Sequence, residues 1–247
     1  GLLNTRTSVS LPLLLSNLIL GTLTYIFLAG SGMVINDFYD YEIDKINRPQ
    51  RPIPRGSVSL SQAKMLFFTY LSIGLLLSVL NVLIFNLNYM IIIIAAFFGF
   101  IGWVYAKWGK KSGFLGNIIV SISFSIGMIY GALLNSSSIP IYVYYFFLTA
   151  FFLLLSREII KGCEDVEGDK NEGVKTLAIR IGTKKSITFA MISSLLAVIF
   201  FTLPLFTNII NPFLFLITMC SGLIIVAYSI YLMIKTTMER NDFKRVS

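Results

Sequence analysis

The sequence predicts an all-α protein, a bundle of helices that crosses a membrane several times. Of its 247 residues 56% are hydrophobic, and the mean hydropathy is +0.80. These values exclude an ordinary soluble domain and a disordered chain alike. Seven apolar runs approach the length of about 20 residues that a helix needs to cross a bilayer. They cover residues 11–35, 62–85, 89–106, 115–134, 140–160, 186–206 and 212–234.

The connections between these runs predict the orientation of the chain. Three connections, residues 86–88, 135–140 and 207–212, contain no charged side chain. The other connections and the C-terminal tail hold every Lys and Arg except Arg6. Because positively charged loops stay on the cytoplasmic side, we expect these segments to lie on the cytoplasmic face of a cell membrane.

The carboxylates are concentrated on that same side of the predicted bundle. All of them except Glu239 and Asp242 fall in two short runs. The first acid run is Asp37, Asp40, Glu42 and Asp44; the second acid run is Glu158, Glu164, Asp165, Glu167, Asp169 and Glu172. An ionisable group near hydrocarbon costs roughly 2.5–3.5 kcal/mol, so such groups rarely lack a function. The two runs therefore predict a shared cation site that acts on an anionic substrate.

The first acid run continues the first apolar run without Gly or Pro. In a continuous helix Asn36, Asp40 and Asp44 lie four residues apart, on one stripe, with about 6 Å per step. Like charges at this spacing repel each other unless a cation neutralises them. Carboxylate and amide oxygens suit Mg²⁺, which commonly bridges to substrate phosphates. The alternative is a solvated helix end whose acids reach into the cytosol.

A proline-rich segment, residues 49–54, follows and predicts a stiff, extended loop instead of a helix. Three arginines lie in or beside this loop: Arg48, Arg51 and Arg55. Guanidinium groups there are suited to capturing an anion next to a metal ion. The alternative is that these arginines only determine the membrane topology.

The second acid run follows the fifth apolar run and repeats the spacing of the first. Asp165 and Asp169 are four residues apart, and Arg157 and Lys161 precede them by one or two helical turns. Two such helices facing each other would hold a pair of Mg²⁺ ions, with Arg157 and Lys161 beside a diphosphate that bridges them. The D-x3-D spacing alone is common by chance, but two copies on one side of a membrane strongly indicate a shared metal site.

Three weaker candidates for contact with the diphosphate lie around the end of the third run: Tyr105, Lys110 and Asn117. The alternative for this segment is an aromatic belt with cytoplasmic positive charges. The sequence has no His, which excludes His-based zinc sites, haem ligation through His and His general-base catalysis.

These motifs resemble those of the UbiA family of intramembrane prenyltransferases. The matching positions are Asn36, Asp40, Asp44, Arg48 and Pro49 in its first motif, Tyr105 and Lys110 in its middle motif, and Asp165 and Asp169 in its second acid motif. The segments 157–161 and 164–169 are most similar to the archaeal branch that makes digeranylgeranylglyceryl phosphate. The resemblance covers roughly residues 16–235.

The resemblance implies Mg²⁺-dependent transfer of a geranylgeranyl group from its diphosphate to geranylgeranylglyceryl phosphate. It implies two Mg²⁺ ions on the aspartates and Asn36. Lys170, Lys175 and Arg180 are candidates for binding the acceptor's phosphate. The expected partners are the prenyl diphosphate, a lipid-like phosphate acceptor and membrane lipids, and no nucleic acid is expected.

Two departures from the family pattern affect these expectations. The family usually has nine spans, with its first motif in the second span. We therefore expect residues 1–247 to form a single transmembrane domain that lacks the first and last helices. In addition, many archaeal members have a third Asp at the position of Gly162. The second metal ion would therefore have one carboxylate ligand fewer in this protein.

The same motifs also permit two alternative functions. The closer alternative is prenyl transfer to an aromatic ring, as in quinone biosynthesis. The more remote alternative is a cation transporter that uses the acid runs, although a transporter would carry its acids at mid-span and these lie at span ends.

Overall fold

The computed structural model describes residues 11–136, 138–171, 173–207, 211–236 and 240–246, and within these the regular structure is entirely helical. The α-helices are α1 Leu11–Tyr39, α2 Tyr41–Asn47, α3 Leu60–Phe85, α4 Met90–Lys107, α5 Phe114–Leu133, α6 Ile141–Glu164, α7 Val166–Asn171, α8 Leu177–Ile181, α9 Thr183–Thr202, α10 Pro212–Lys235 and α11 Arg240–Val246. Short 3₁₀ helices cover Gly109–Ser112 and Leu203–Phe206. The predicted all-α fold is confirmed.

Seven helices among the described residues are long and apolar enough to cross a membrane. They are α1, α3, α4, α5, α6, α9 with the 3₁₀ helix that follows it, and α10. Each coincides with one of the predicted runs. The largest differences lie at the ends of α1 and α6, which continue beyond residues 35 and 160 to Tyr39 and Glu164. Both extensions lead into the acid runs.

The chain divides into two compact units. Unit 1 is Gly1–Gly109 with Ile129–Ile139, and unit 2 is Lys110–Met128 with Pro140–Ser247. The first acid run belongs to unit 1 and the second to unit 2. That the two units form a single domain stays a prediction from the sequence.

In unit 1, α1 packs along α3 and α4. Small residues permit the close approach: a Cβ added at Gly74 of α3 would lie 2.8 Å from the Leu28 side chain of α1. Near the end of α1 a buried cluster of Ile35, Phe67 and Ala106 joins the three helices. Close packing of small and apolar side chains holds membrane helices together, and here it fixes the helix turns that precede the first acid run.

In unit 2, α6 packs along α9, and the hydroxyls of Ser156 and Ser194 share a buried hydrogen bond of 2.9 Å between the helices. The end of α6 enters a buried apolar cluster with residues from α8 to α11. Its buried members are Leu155, Ile159, Ile160, Cys163, Ala178, Ile187, Ala190, Met233 and Phe243. This cluster fixes the last turns of α6 and with them the start of the second acid run.

The segment just before α5 touches the connection between α7 and α8. Gly113 has φ +67°, and a Cβ added there would overlap with the carbonyl oxygen of Lys175. A side chain at this position is therefore excluded both by backbone conformation and by space. The contact fixes the backbone at Lys175 and Thr176, a few residues after the second acid run.

We predict that Gly113→Ala lowers the free energy of unfolding by about 1–3 kcal/mol, because Ala is strained at positive φ and collides with Lys175. Gly127→Ala is the matched control, since Gly127 lies in α5 of the same unit and a Cβ there meets nothing within 4 Å. Thermal unfolding of both variants in detergent measures the difference. Equal melting temperatures for the two variants would show that the Gly113 contact is absent.

Candidate active site

The first acid run lies across the junction of α1 and α2. Asp40 separates the two helices, yet helical hydrogen bonding continues across it. The amide of Asp40 donates to the carbonyl of Asn36 at 2.9 Å, and the amide of Asp44 donates to the carbonyl of Asp40 at 2.8 Å. The predicted four-residue spacing on a helical backbone is therefore confirmed.

Two aspartates of this run are buried, although they are charged. Asp40 is 7% exposed and Asp44 is 5% exposed. The Asn36 side-chain amide donates to Oδ2 of Asp40 at 2.9 Å, so the amide and the first carboxylate are in direct contact. A solvated helix end does not account for this burial, since it would leave both acids in water.

Glu42 shows what a solvated acid in the same run looks like. It is exposed, and it accepts a hydrogen bond from Lys45 at 3.1 Å. Lys45 also lies 4.0 Å above the ring of Tyr41. These contacts raise the pKa of Lys45, first through its contact with Tyr41 and then through that with Glu42. The run therefore contains one exposed acid, Glu42, and two buried acids, Asp40 and Asp44.

The loop after α2 is folded into consecutive turns, so the prediction of an extended loop is wrong. The amide of Arg51 donates to the carbonyl of Arg48 at 3.0 Å, and that of Gly56 donates to Ile53 at 3.0 Å. In each turn a proline, Pro49 or Pro54, is the second residue. The fixed φ of proline suits that turn position as well as it suits extended chain, so the prolines alone do not decide between them.

These turns bring Arg51 back to the first acid run. Its Nη1 donates to Oδ1 of Asp37 at 2.8 Å and to Oδ2 of Asp44 at 2.7 Å. The hydrogen bond to Asp44 raises the pKa of Arg51 above its usual range. Arg48, by contrast, is exposed.

Asp37 belongs to the first acid run, but the sequence analysis assigns it neither to the metal ions nor to the diphosphate. It lies three residues before Asp40 and is therefore off the four-residue stripe. A usable signal was present, because Asp37 and Asp44 are seven residues apart and share a helix face at two turns. Its pairing with Arg51 depends on the fold of the loop, which no local pattern shows.

The donors of the first acid run fit a Mg²⁺ ion. A cation, the guanidinium of Arg51, already bridges two of its carboxylates. Among the described residues no group of three or more acidic, Cys or His side chains could hold a metal ion by itself. Mg²⁺ does not need such a cage, because it commonly takes one or two carboxylates, keeps several waters and binds substrate phosphates.

The second acid run is built in the same way as the first. Asp165 separates α6 from α7, its amide donates to Lys161 at 3.1 Å, and the amide of Asp169 donates to the carbonyl of Asp165 at 2.9 Å. Asp165 and Asp169 are half-buried. Arg157 is exposed and pairs with its neighbour Glu158 at 2.7 Å, and Lys161 is exposed.

The other predicted site residues have varied surroundings. Tyr105 and Asn117 are half-buried, near the end of α4 and the start of α5. The three candidates for the acceptor's phosphate are exposed: Lys170, Lys175 and Arg180. The side chain of Lys110 lies outside the described part of the chain. That all these residues and both acid runs share one site stays a prediction.

The model of the UbiA prenyltransferase family matches residues 2–245. The chain belongs to this family. It is 36% identical over 231 residues to the digeranylgeranylglyceryl phosphate synthase of Methanosphaera stadtmanae, with 92% of this chain and 80% of that protein covered. It is 42% identical over 193 residues to the synthase of Saccharolobus solfataricus, and this match covers 78% of this chain and 66% of that protein. The chain thus spans about two thirds of some curated relatives.

Solved structures of the family have the same fold. A digeranylgeranylglyceryl phosphate synthase structure is 31% identical, with a TM-score of 0.79, and 99% of this chain and 82% of that chain are covered. A UbiA homologue from Archaeoglobus fulgidus, solved with DMAPP and Mg²⁺, is 18% identical with a TM-score of 0.76, covering 98% and 86%. The protein is thus a UbiA-type prenyltransferase, and its seven candidate spans make it a multi-pass membrane protein.

Proposed function

We propose that this protein transfers a geranylgeranyl group from its diphosphate to geranylgeranylglyceryl phosphate, a step of archaeal ether-lipid synthesis. The observation that carries the proposal is the stripe of half-buried Asn36 with buried Asp40 and Asp44, beside Arg51, in a chain so similar to digeranylgeranylglyceryl phosphate synthases. The positively charged loops support an active site at the cytoplasmic face.

The proposal assigns two Mg²⁺ ions to a set of oxygen ligands: Asn36, Asp40, Asp44, Asp165 and Asp169. Three observations support it. The donors are hard oxygens, the first run already binds a cation in Arg51, and both runs have the same helix–Asp–helix construction. The A. fulgidus homologue of the same fold binds Mg²⁺ with prenyl diphosphates. When bound, Mg²⁺ neutralises negative charge on a leaving diphosphate.

The remaining polar residues are assigned to the diphosphate: Arg48, Arg51, Tyr105, Lys110, Asn117, Arg157 and Lys161. Their N–H and O–H donors stabilise the charge that develops as the allylic C–O bond breaks. The acceptor hydroxyl attacks the allylic cation, and its proton passes to a carboxylate or to the departing diphosphate. The surrounding apolar helices exclude water, which would otherwise capture the cation.

The acceptor's phosphate requires further positive charge. Lys170, Lys175 and Arg180 supply it in this proposal. All three are exposed around α7 and α8, close in sequence to the second acid run. An aromatic acceptor, the closer alternative, has no phosphate for these cations to bind.

We predict that Asp40→Asn and Asp169→Asn each lower kcat on the order of 100-fold or more, because each removes charge from a proposed metal ligand with little change of shape. Glu42→Gln is the matched control, since Glu42 lies in the same run but is exposed and pairs with Lys45. Initial rates with labelled geranylgeranyl diphosphate measure the effect. Near-normal turnover in Asp40→Asn would refute the assignment of the first run.

The acceptor is identified by a separate comparison. We expect membranes that contain the protein, given Mg²⁺ and labelled geranylgeranyl diphosphate, to prenylate geranylgeranylglyceryl phosphate and not an aromatic acid. With Lys175→Gln the KM for this acceptor should rise several-fold with little change in kcat, since loss of a uniform binding contact acts on KM. Chromatography of the labelled lipid identifies the product. A labelled aromatic product alone would establish the quinone-type alternative.

A further inference from the structure

One nitrogen of Arg51 bridges two carboxylates of the first acid run. It lies 2.8 Å from Oδ1 of Asp37 and 2.7 Å from Oδ2 of Asp44. Asp44 is almost fully buried, so little water is available to solvate its charge. The position of this nitrogen is therefore one that a small cation shared by the two acids would take.

The neighbouring cations of unit 1 do not replace Arg51 there. Lys45 donates to both oxygens of Glu42, at 3.1 and 3.2 Å, and lies over the ring of Tyr41. Arg48 is exposed in the turn that precedes Arg51. In the described part of unit 1, Asp37 and Asp44 are thus each ion-paired with Arg51.

A divalent cation that binds Asp44 has to compete with this guanidinium. Charge-assisted hydrogen bonds of this length are strong, so a metal ion gains little by displacing Arg51 while Arg51 has no other anion to bind. A diphosphate is such an anion, and the planar guanidinium binds phosphate oxygens through two N–H groups at once. Arrival of the diphosphate therefore changes the competition in favour of the metal.

We propose that Arg51 makes metal binding at the first acid run depend on the diphosphate substrate. This inference rests on the proposed function, which assigns Asp44 to a Mg²⁺ ion. Without substrate, Arg51 occupies Asp37 and Asp44, and the metal binds weakly. With substrate, Arg51 moves its hydrogen bonds to phosphate oxygens and leaves Asp44 to the metal. Because such coupling is reciprocal, the metal tightens diphosphate binding by the same factor.

The test measures metal binding directly. The electron paramagnetic resonance signal of free Mn²⁺ is recorded in solutions of the purified full chain in detergent. Titrations are run with and without geranylgeranyl thiodiphosphate, an unreactive substrate analogue, and a protein-free series corrects for Mn²⁺ bound by the analogue. In the wild type we expect the analogue to tighten Mn²⁺ binding roughly tenfold or more. Arg51→Met should bind Mn²⁺ alone about tenfold more tightly than the wild type and gain little from the analogue.

Lys45→Met is the matched control. It removes one positive charge next to the first acid run but leaves the hydrogen bonds of Arg51 to Asp37 and Asp44 in place. We expect it to behave as the wild type does. An equal gain in Mn²⁺ affinity in Lys45→Met and Arg51→Met would reduce the effect to net charge and overturn the inference.

The outcomes separate this inference from the proposed function. If the analogue promotes Mn²⁺ binding equally in the wild type and in Arg51→Met, the inference fails and the proposed function stands. If no protein binds Mn²⁺ with or without the analogue, the proposed function fails and the inference with it. Should Arg51→Met not fold, Arg51→Lys replaces it, because an ammonium is a poorer bridge between two carboxylates. A several-fold gain in its affinity for Mn²⁺ alone is then expected, and no gain would contradict the inference.

Discussion

The arrangement of this protein depends on a need for positive charge beside buried acids at the end of a membrane helix. Asp40 and Asp44 are buried on one helical stripe, and Asp44 shares the guanidinium of Arg51 with Asp37. Like charges so placed repel each other and are poorly solvated, so the array requires a cation. In the structure Arg51 supplies one, because turns after α2 carry it back to the helix. The same need makes this place suitable for a metal ion.

The fold repeats one construction at both acid runs. A long apolar helix ends, an aspartate interrupts it, and a short helix continues with unbroken four-residue hydrogen bonding. Beneath each run a buried apolar cluster fixes the last turns of the long helix, around Ile35 in unit 1 and around Ile159 in unit 2. The acids thus lie on rigid helix ends, and in unit 1 Arg51 lies on the connection that follows. Rigid acids beside a cation on a loop suit a site that holds metal ions and releases a diphosphate.

Most of the fold and part of the site follow from local patterns in the sequence. Span positions follow from hydropathy, and the spacing of Asn36, Asp40 and Asp44 follows from helix geometry. The sequence does not decide the conformation of the loop, because a proline φ fits both a turn and extended chain, and only hydrogen bonds such as that from Arg51 to Arg48 decide. The contact of Asp37 does not follow from the sequence either, because its partner Arg51 lies 14 residues away along the chain. Contacts of this kind are set by tertiary structure.

In the proposed function both acid runs bind the metal ions of one diphosphate, and the positions of those ions can be measured. A structure of the protein with Mn²⁺ and geranylgeranyl thiodiphosphate would locate each metal ion by its anomalous signal. We expect two Mn²⁺ peaks beside a single diphosphate, one bound by Asp40 or Asp44 and the other by Asp165 or Asp169. Metal ions on one run alone, or a diphosphate that contacts neither run, would rule out the proposed shared site.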